Sequence, residues 1–409
     1  MQVPRIDGER LWRSLEEMAK IGATPEGGCD RQALTDADRE ARDLFRSWCV
    51  EAGLSVEIDD MGCMYAHRPG RRSDLPPVAL GSHLDTQPNG GRFDGPLGVL
   101  AALEVVRTLN DHGIETERGI VVVNWTNEEG CRFAPAMLAS GVFAGVFDRE
   151  WAHDRRDREG RRFGDELERI GYRGAVPCRA RNWRCHFELH IEQGPVLESE
   201  GRVIGVVTGA QGTRWYDAQL VGRASHAGTT PMDRRRDALA GAAEAMVALE
   251  RMARAVPDAV ATVGTLTALP GSRNVVPGEV RFSVDIRHPD DATADRLEEA
   301  FAGELAQIAA RRGLGHAFER IWAFPALRFD PECIAAVRAA AEAEGLPFRE
   351  MVSGAGHDSC YVVRVVPTSM IFVPCREGLS HNPGEWCEPE HAAAGCQVLL
   401  RAALTMATA

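Results

Sequence analysis

Histidine and carboxylate side chains follow several apolar segments of this sequence, and the first of them are His83 and Asp85. Because these two residues are separated by one position at the end of an apolar run, their side chains leave the chain on the same face. A histidine that binds a metal usually donates its other ring N–H to a carboxylate or a carbonyl, so Asp85 could support His83 as a ligand. A core histidine beside a capping aspartate is the structural alternative, and the pair alone leaves both open.

Further carboxylates occur at Asp94 and at the adjacent pair Glu128 and Glu129. Asp94 lies in NGGRFDGPLG, where a carboxylate could bridge two cations or could cap a turn. Like charges side by side at a buried strand tip are costly unless cations offset them. One glutamate of the pair could then bind a metal while the other transfers protons. A solvated acidic turn is the alternative.

Two more histidines complete this set of metal-ligand residue types. His190 ends the segment FELH, and His381 lies in the loop segment LSHNPGEW. Each alone is equally typical of a hydrogen-bonded structural histidine. Mixed histidine and carboxylate ligands suit Zn²⁺, Mn²⁺ or Co²⁺ better than Mg²⁺ or Ca²⁺ alone. No H-E-x-x-H segment occurs, so the ligands of such a site must come from several elements of the fold.

The elements that must position these residues alternate between strand and helix. Apolar runs that end in polar residues predict strands over 78–86, 119–129 and 184–194. A helical repeat of apolar residues predicts a helix over 96–112, between the first two strands. Strands of this kind are typical of an open α/β sheet, in which sites form beyond the carboxyl ends of the strands.

The pattern changes between residues 212 and 325. The predicted order there is strand, helix, two strands, helix and strand, at 215–226, 233–256, 261–270, 279–288, 291–313 and 317–324. This β-α-β-β-α-β order is the ferredoxin-like unit. We therefore predict a discontinuous catalytic domain of residues 1–211 and 326–409 with a small domain of residues 212–325 inserted into it.

Composition excludes several classes of function. The net charge is −13 and no basic cluster stands out, which argues against nucleic acid as a partner. No apolar run approaches the length of a membrane span. Eleven cysteines without a C-x-x-C pair predict reduced thiols in a cytoplasmic protein. Lys20 is the only lysine and falls on a predicted amphipathic helix, so mechanisms that need an active-site lysine are disfavoured.

Seven segments resemble, in order, the hydantoinase/carbamoylase group of the M20 metallopeptidase clan, over about residues 80 to 386. They are GSHLDTQPNGGRFDGPLG, NEEGCRF, HIEQGPVLE, SHAGTTPM, RNVVPGEVRFSVDIRHPD, SGAGHDS and LSHNPGEW. The group contains N-carbamoyl-L-amino acid hydrolases, allantoate amidohydrolases and β-ureidopropionases. The resemblance implies an M20-like α/β fold whose inserted domain serves as a lid and a homodimer interface. It also implies two divalent metal ions (Zn, Mn or Co) and hydrolysis of a C–N bond in a small ureido acid.

The same resemblance implies roles for individual residues. Five would bind metal: His83 and His190 one ion each, Asp94 as the bridge, and Glu129 and His381 to complete the shells. Glu128 would be the general base, with Asp85 in a supporting role. Substrate contacts would come from Gln193, Asn274, Arg287 and His357. His226 would reach the reacting carbonyl from the neighbouring subunit. Without the resemblance, Arg287 reads as a surface charge after a strand.

Alternative activities stay open at this point. Allantoate amidohydrolase and β-ureidopropionase belong to the same group and differ in the ureido acid. An M20 aminoacylase or dipeptidase is a third alternative, against which His190 argues because many M20 peptidases have aspartate at that position; Gln193 argues against it too. A non-catalytic binding protein would keep the pocket without the chemistry, and the presence of Glu128 with every presumed ligand argues against that.

Overall fold

The computed structural model describes residues 3–408, which fold into two compact units. The large unit extends to Gly209 and resumes at Phe329, and the second unit is Ala210–Arg328. The boundaries predicted from the sequence, 212 and 325, lie just inside this second unit. The fold is α/β, as predicted, with a central sheet in each unit.

The large unit begins with seven helices and six strands. They are α1 (Gly8–Lys20), α2 (Asp36–Glu51), β1 (Ser55–Ile58), β2 (Met64–Arg68), β3 (Val78–His83), α3 (Pro96–Asp111), β4 (Ile120–Trp125), α4 (Leu138–Phe143), α5 (Arg149–His153), α6 (Phe163–Arg169), β5 (Cys185–Ile191), α7 (Val196–Ser199) and β6 (Ile204–Ala210).

The second unit follows, and the chain then returns to the large unit. The second unit contains β7 (Gly212–Val221), β8 (Ser225–His226), α8 (Ala238–Arg254), β9 (Val260–Thr262), β10 (Leu266–Leu269), β11 (Val275–Val276), β12 (Glu279–His288), α9 (Asp291–Arg312), β13 (Gly315–Phe324) and β14 (Leu327–Arg328). The large unit ends with α10 (Pro331–Ala343), β15 (Phe348–Ser353), α11 (Ser359–Val362), β16 (Thr368–Val373) and α12 (Pro389–Thr408).

The sheet of the large unit has its parallel strands at the centre. Its strand order is β1-β2-β4-β3-β5-β16-β6, with β15 beside β6. The pairs β3–β4, β3–β5 and β5–β16 are parallel, and all four strands are buried along their whole length. Their near-continuous apolar sequences fit strands that are covered on both faces. The carboxyl ends of these strands therefore meet at one edge of the sheet.

The second unit has a sheet with one face covered by helices. Its strand order is β10-β12-β7-β13, with β9 also beside β12. Alternate residues of β12, such as Phe282 and Val284, are buried in a core with α8 and α9, while Arg281 on the other face is exposed. This period of two is what a sheet with one covered face requires.

Three elements of the second unit differ from the sequence expectation. The strand expected over 261–270 is divided into β9 and β10, with Gly264 in the gap, and the strand expected over 215–226 begins at Gly212 and ends at Val221. The helix expected from residue 233 begins at Ala238. Its start is set by Asp237, whose side chain accepts hydrogen bonds from the amides of Leu239 and Ala240.

Among residues 3–408, the helices lack the combination of length and apolar character that a membrane span needs. The eleven cysteines are free thiols, and all except Cys131 are buried.

Candidate metal centre

The carboxyl edge of the parallel sheet brings the predicted metal ligands together. His83 is the last residue of β3, and His190 is the penultimate residue of β5. Glu129 follows β4, and Asp94 stands just before α3. His381 reaches the same place from the loop after β16. Five positions that span almost 300 residues of sequence thus converge because parallel strands end at a common edge.

The first group of ligand atoms is formed by His83, His190 and Asp94. Asp94 Oδ1 lies 3.7 Å from His83 Nε2 and 3.1 Å from His190 Nε2. The three side chains are buried, and their ligand atoms lie within 4.8 Å of one another. This is the arrangement of two imidazoles and one carboxylate that suits a transition-metal ion.

Hydrogen bonds fix the tautomer of both histidines in this group. His83 Nδ1 is 2.9 Å from the carbonyl of Asp85, and His190 Nδ1 is 2.9 Å from the carbonyl of Ile191. A carbonyl can only accept, so in the neutral form of each ring Nδ1 carries the hydrogen and Nε2 keeps a lone pair. Both Nε2 atoms are buried without a hydrogen bond. Two such lone pairs facing a carboxylate fit a bound cation.

The second group is formed by Asp94, Glu129 and His381. His381 Nε2 lies 3.3 Å from Asp94 Oδ2 and 3.3 Å from Glu129 Oε2. The three ligand atoms again lie within 4.8 Å of one another. Asp94 therefore presents Oδ1 to the first group and Oδ2 to the second, which is the geometry of a bridging carboxylate between two ions.

The backbone around the two groups is constrained. Gly95 has φ +86°, and a Cβ there would lie 2.3 Å from His83 Cε1, so only glycine fits between the bridge and the ring. Three residues other than glycine also have a positive φ here: Asn127 at 60°, Gln193 at 58° and His381 at 53°. Such conformations cost free energy and cluster at functional sites.

Asp85 supports His83 through its main chain rather than through its carboxylate. The carboxylate Oδ1 is 3.9 Å from His83 Nδ1, outside hydrogen-bond range. The carboxylate instead accepts from the amides of Glu128 and Glu129, each at 3.3 Å. Burial raises the pKa of Asp85 to about 7. Asp85 thus holds the turn that carries the two glutamates.

Glu128 lies beside the first group, with Oε2 3.6 Å from His83 Nε2. Burial raises its pKa well above the ordinary value, and the nearby carboxylates of Asp358, Glu129 and Asp94 raise it further. A buried glutamate whose pKa is raised accepts a proton more readily than an ordinary carboxylate, which suits a role in proton transfer. The structure therefore separates the adjacent glutamates: Glu129 lies in the second ligand group, and Glu128 lies outside it.

The surroundings of His83 and His190 shift the pKa values of these two histidines in opposite directions. Burial lowers the pKa of His83 to about 4. Burial also opposes charge on His190, but the carboxylate of Asp94 outweighs it and raises the pKa of His190 to about 9. The position between Asp94 and His190 thus favours a positive charge, which a proton or a metal cation can supply.

Gln193 and His357 border the two ligand groups. Gln193 Nε2 donates to Asp94 Oδ2 at 2.7 Å, while its Oε1 is buried without a hydrogen bond. His357 packs its ring against His190 at 4.6 Å, and its Nε2 is 3.0 Å from the hydroxyl of Ser353. Burial lowers the pKa of His357 well below its usual value.

Sequence reasoning missed the residues that hold Asp94 in place. Glu385 Oε1 accepts from the amides of Phe93 and Asp94, at 2.8 and 3.1 Å. The hydroxyl of Ser380 lies 2.6 Å from Asp94 Oδ2. Both residues are in the segment LSHNPGEW with His381, so their closeness to that histidine was the available signal.

A buried acidic layer beneath the ligands was also missed. Glu188 accepts from the hydroxyls of Ser82 and Ser359, at 2.7 and 2.6 Å, and Asp358 accepts from the hydroxyl of Ser140. Burial raises the pKa of Glu188 and of Asp358. Glu188 is two residues before His190 on β5, so the strand period places both on one face.

The remaining predicted substrate residues belong to the second unit. His226 and Asn274 are neighbours because β8 pairs with β11, and the amide of Ala227 donates to the carbonyl of Asn274 at 2.9 Å. Arg287 is on the sheet face opposite the helices. Its Nε and Nη2 donate to Asp285, at 3.1 and 2.8 Å, so the guanidinium is paired by the carboxylate two positions earlier.

Comparison with known proteins gives a consistent result over nearly the whole chain. Residues 79–405 match the family described as peptidase family M20/M25/M40. The chain is 53% identical over 408 residues to an N-carbamoyl-L-amino-acid amidohydrolase of Rhizobium meliloti, covering 98% of this chain and 97% of the relative. It is 33% identical to an allantoate amidohydrolase of Bacillus subtilis, covering 94% of each. An amidase of the hydantoinase/carbamoylase family from Burkholderia multivorans has a similar structure, with a TM-score of 0.97, 56% identity and 99% of each chain covered.

Proposed function

The chain belongs to the peptidase family M20/M25/M40, and on this premise we propose that it is a metal-dependent amidohydrolase of N-carbamoyl-L-amino acids. The reaction hydrolyses the carbamoyl C–N bond and yields the amino acid, CO₂ and ammonia. The observation that carries the proposal is Asp94, whose two oxygens face two separate groups of ligand atoms at the carboxyl edge of the sheet. The 53% identity to an N-carbamoyl-L-amino-acid amidohydrolase supports the substrate class.

Two divalent ions fit the charge and the donor types of this pocket. His83, Asp94 and His190 would hold one ion, and Asp94, Glu129 and His381 the other. His83 and His190 would therefore share an ion, which corrects the expectation that they would bind one ion each. Nitrogen and carboxylate donors suit Zn²⁺, Mn²⁺ or Co²⁺. When bound, the ions would polarise the carbamoyl oxygen and lower the pKa of the attacking water. The ions would also offset the negative charge of these closely spaced, buried carboxylates, which have few positively charged side chains beside them.

Glu128 supplies the proton transfers in the proposed mechanism. Its carboxylate takes a proton from the attacking water and delivers it to the nitrogen that leaves from the carbamoyl carbon. Its burial and raised pKa support this role, because the protonated form must persist long enough to donate. Asp85 keeps Glu128 in position through its hydrogen bond to the Glu128 amide.

Arg287 and Asn274 of the second unit would bind the carboxylate of the substrate. An arginine presents parallel N–H donors that match a carboxylate. Asp285 orients the Arg287 side chain by accepting from its Nε and Nη2, and the indole N–H of Trp215 donates to Asp285 at 3.2 Å. Gln193, whose buried Oε1 is unsatisfied, would accept a hydrogen bond from an N–H of the ureido group.

We also propose a homodimer formed through the second unit, with His226 serving the partner's site. Large apolar side chains of this unit are exposed, including Trp215 at 45%, Trp322 at 43% and Ile321 at 53%. An exposed patch of this kind is typical of an association surface. The test mixes Glu128→Gln subunits with His226→Ala subunits. Recovered activity supports action across the interface, and no recovery in verified heterodimers places His226 in the site of its own subunit.

We also propose a cytoplasmic location, in which the cysteines would be reduced thiols. Cys63 and Cys178 are both buried, and their sulfur atoms lie in one cluster with Asp59 without a disulfide between them. Adjacent thiols that stay unlinked suit a reducing compartment. Mass spectrometry of alkylated protein from unbroken cells tests this proposal, because an oxidising compartment would leave such a pair protected from alkylation.

The substrate panel separates the proposed activity from its alternatives. Ammonia release is measured from N-carbamoyl-L-amino acids, allantoate and 3-ureidopropionate, and amine release from N-acetyl amino acids and dipeptides, with Mn²⁺, Co²⁺ or Zn²⁺ added. The proposal expects the highest kcat/KM with an N-carbamoyl-L-amino acid. Preference for allantoate would favour the activity of the relative at 33% identity, and preference for N-acetyl amino acids or dipeptides would favour an aminoacylase or peptidase.

A further inference from the structure

His226 stands in a loop of the second unit, and two backbone amides of that loop donate hydrogen bonds to its ring. The residue ends the short strand β8 and is paired with Val275 of β11. On the far side of the ring, Nδ1 accepts from the amide of Gly228 at 3.0 Å and from the amide of Thr229 at 3.2 Å. These contacts are local, and His226 is exposed.

Two amide donors determine where the proton of the neutral imidazole resides. A backbone N–H can only donate, so the nitrogen that faces it must offer a lone pair. Nδ1 faces two such groups and therefore carries no hydrogen, which leaves the hydrogen of the neutral ring on Nε2. In this form Nε2 can donate a hydrogen bond and cannot accept a proton.

Arg235 holds the peptide groups that face the ring. Its Nη2 donates to the carbonyl of Ala227 at 2.6 Å, and its Nε donates to the carbonyl of Thr230 at 3.0 Å. The carbonyl of Ala227 and the amide of Gly228 belong to one planar peptide group and point in opposite directions. Fixing that carbonyl on Arg235 therefore aims the Gly228 amide at His226, and it also polarises the amide.

The loop approaches the ring closely at Gly228. A Cβ there would lie 3.3 Å from His226 Cε1, which is tighter than most contacts of this kind, and 3.5 Å from Nδ1, which is an ordinary contact. The other end of the loop is closed by the amide of Thr230, which donates to the carbonyl of His226 at 3.1 Å. The ring thus sits against the backbone of its own loop.

We propose that the Gly228 and Thr229 amides, braced by Arg235, preset His226 as a neutral Nε2–H donor. This deepens the proposed function on which it rests: His226 would stabilise the developing oxyanion by a hydrogen bond and would take no part as a base. Arg235 is then a positioning residue, since it acts through the loop and touches no substrate. A donor that is already oriented needs no reorganisation when charge develops.

Nuclear magnetic resonance of the full chain labelled with ¹⁵N-histidine tests the tautomer without reference to activity. Long-range ¹H–¹⁵N correlations distinguish a ring with hydrogen on Nε2 from one with hydrogen on Nδ1, and His226→Gln identifies the signals of this residue. We expect the Nε2–H form alone for neutral His226. Hydrogen on Nδ1, or an even mixture of the two forms, would overturn the proposal even if the protein hydrolyses ureido acids.

Arg235→Met tests the brace, and Arg234→Met is the matched control. Arg234 is exposed. Among the ion pairs of the described chain it takes part only in one with Asp233, in which Nε lies 3.5 Å from Oδ2. Arg235→Met should give a mixed His226 tautomer and lower kcat by up to ~10²-fold with little change in KM, as a misplaced catalytic donor does. Arg234→Met should leave both unchanged.

A second variant keeps the test decisive if the Arg235→Met protein does not fold. Arg235→Lys keeps the positive charge but cannot span both carbonyls with a planar fork. It should retain the fold and give an intermediate tautomer mixture and an intermediate kcat. If Arg235→Lys and Arg235→Met both keep a pure Nε2–H signal, the brace assigned to Arg235 is wrong, whatever the activity assay shows.

Discussion

The two units hold their functional residues in opposite ways. In the large unit, His83, Asp94 and His190 are buried and come together from distant parts of the sequence. In the second unit, His226 is exposed and Arg287 is only half-buried, and each is held by residues within three positions of itself. The first arrangement depends on the fold of a whole sheet, and the second on the local path of a strand or a loop.

Because of this difference, we expect the two units to control different properties of the protein. A buried site with several carboxylates can bind cations tightly, because little solvent competes and the ligands cannot separate. An exposed arginine or histidine held by its neighbours can meet a substrate without a large desolvation cost. Changes in the large unit should therefore remove metal and chemistry, and changes in the second unit should alter substrate recognition while metal stays bound.

The largest expected effect follows from the loss of the shared carboxylate. Asp94→Asn replaces one charged oxygen by an amide nitrogen, which cannot bind a cation, so both ligand groups lose affinity at once. We expect the metal content of the purified variant, measured by mass spectrometry, to fall below that of the wild type and ammonia release to fall to background. Arg287→Ala, prepared in the same way, should keep its metal. An Asp94→Asn protein with full metal content would contradict the bridging role.

The next largest effect concerns the different roles proposed for the adjacent residues Glu128 and Glu129. Glu128→Gln should keep metal and substrate binding but lower kcat by about 10²–10⁴-fold, because an amide cannot accept the proton. Glu129→Gln is the matched comparison and should lose metal as well as activity. If metal content falls in Glu128→Gln and stays in Glu129→Gln, the two roles are reversed.

A smaller effect is expected in the second unit. Arg287→Ala removes a charge-assisted contact of roughly 1.5–3 kcal/mol, so kcat/KM for ureido acids should fall by about one to two decades. Arg287→Lys should lose less. Neutral analogues that lack the carboxylate should be poor substrates of the wild type and little changed by either variant. Equal losses for acidic and neutral substrates would make the arginine structural.

The smallest effect is on stability and has opposite signs in the two units. Burial raises the pKa of Asp59 in the large unit to about 6 from 3.8, whereas hydrogen bonds from Thr293 lower the pKa of the exposed Asp290 in the second unit. The folded large unit therefore binds the Asp59 proton more tightly, and the stability it contributes is present below 3.8 and lost as pH rises through about 6. The contribution of Asp290 is present above pH 3.8 and lost as pH falls.

Thermal unfolding at pH 4 and pH 7 measures these signs. Between these values, Asp59→Asn should gain stability relative to the wild type, by at most about 3 kcal/mol. For Asp290→Asn the same comparison is made between pH 3 and pH 7, and the variant should lose stability relative to the wild type, because the contribution of Asp290 develops as the pH rises towards 3.8. The same direction for both variants would contradict the contrast between a buried and an exposed carboxylate.

The sequence indicated that two candidate ligands of the large unit, His83 and His190, lie at one edge of the sheet, because their positions follow a simple topological rule. Apolar runs that end at His83 and His190 predict strand ends, and parallel strands bring such ends to one edge. The alternation of Phe282 and Val284 likewise predicted β12 and the face that it buries. The resemblance of seven segments then assigned roles that spacing alone left open.

Contacts between distant loops were beyond the sequence. The carboxylate of Glu385 accepts from the Asp94 amide across 291 positions, and no local period encodes that distance. The acidic layer of Glu188 and Asp358 also escaped notice, because a single buried acid has no pattern of its own. The pairing of Arg287 with Asp285 was accessible in principle, since residues two apart on a strand share a face.

Metal titration of the stripped protein tests the central claim most directly. The protein is freed of metal with a chelator, Mn²⁺, Co²⁺ or Zn²⁺ is added in steps, and ammonia release from an N-carbamoyl-L-amino acid is recorded against the number of ions bound per chain. The account predicts no activity without metal and a plateau at two ions per chain. Full activity in the stripped protein, or a plateau at one ion, would contradict a site built on two ligand groups that share Asp94.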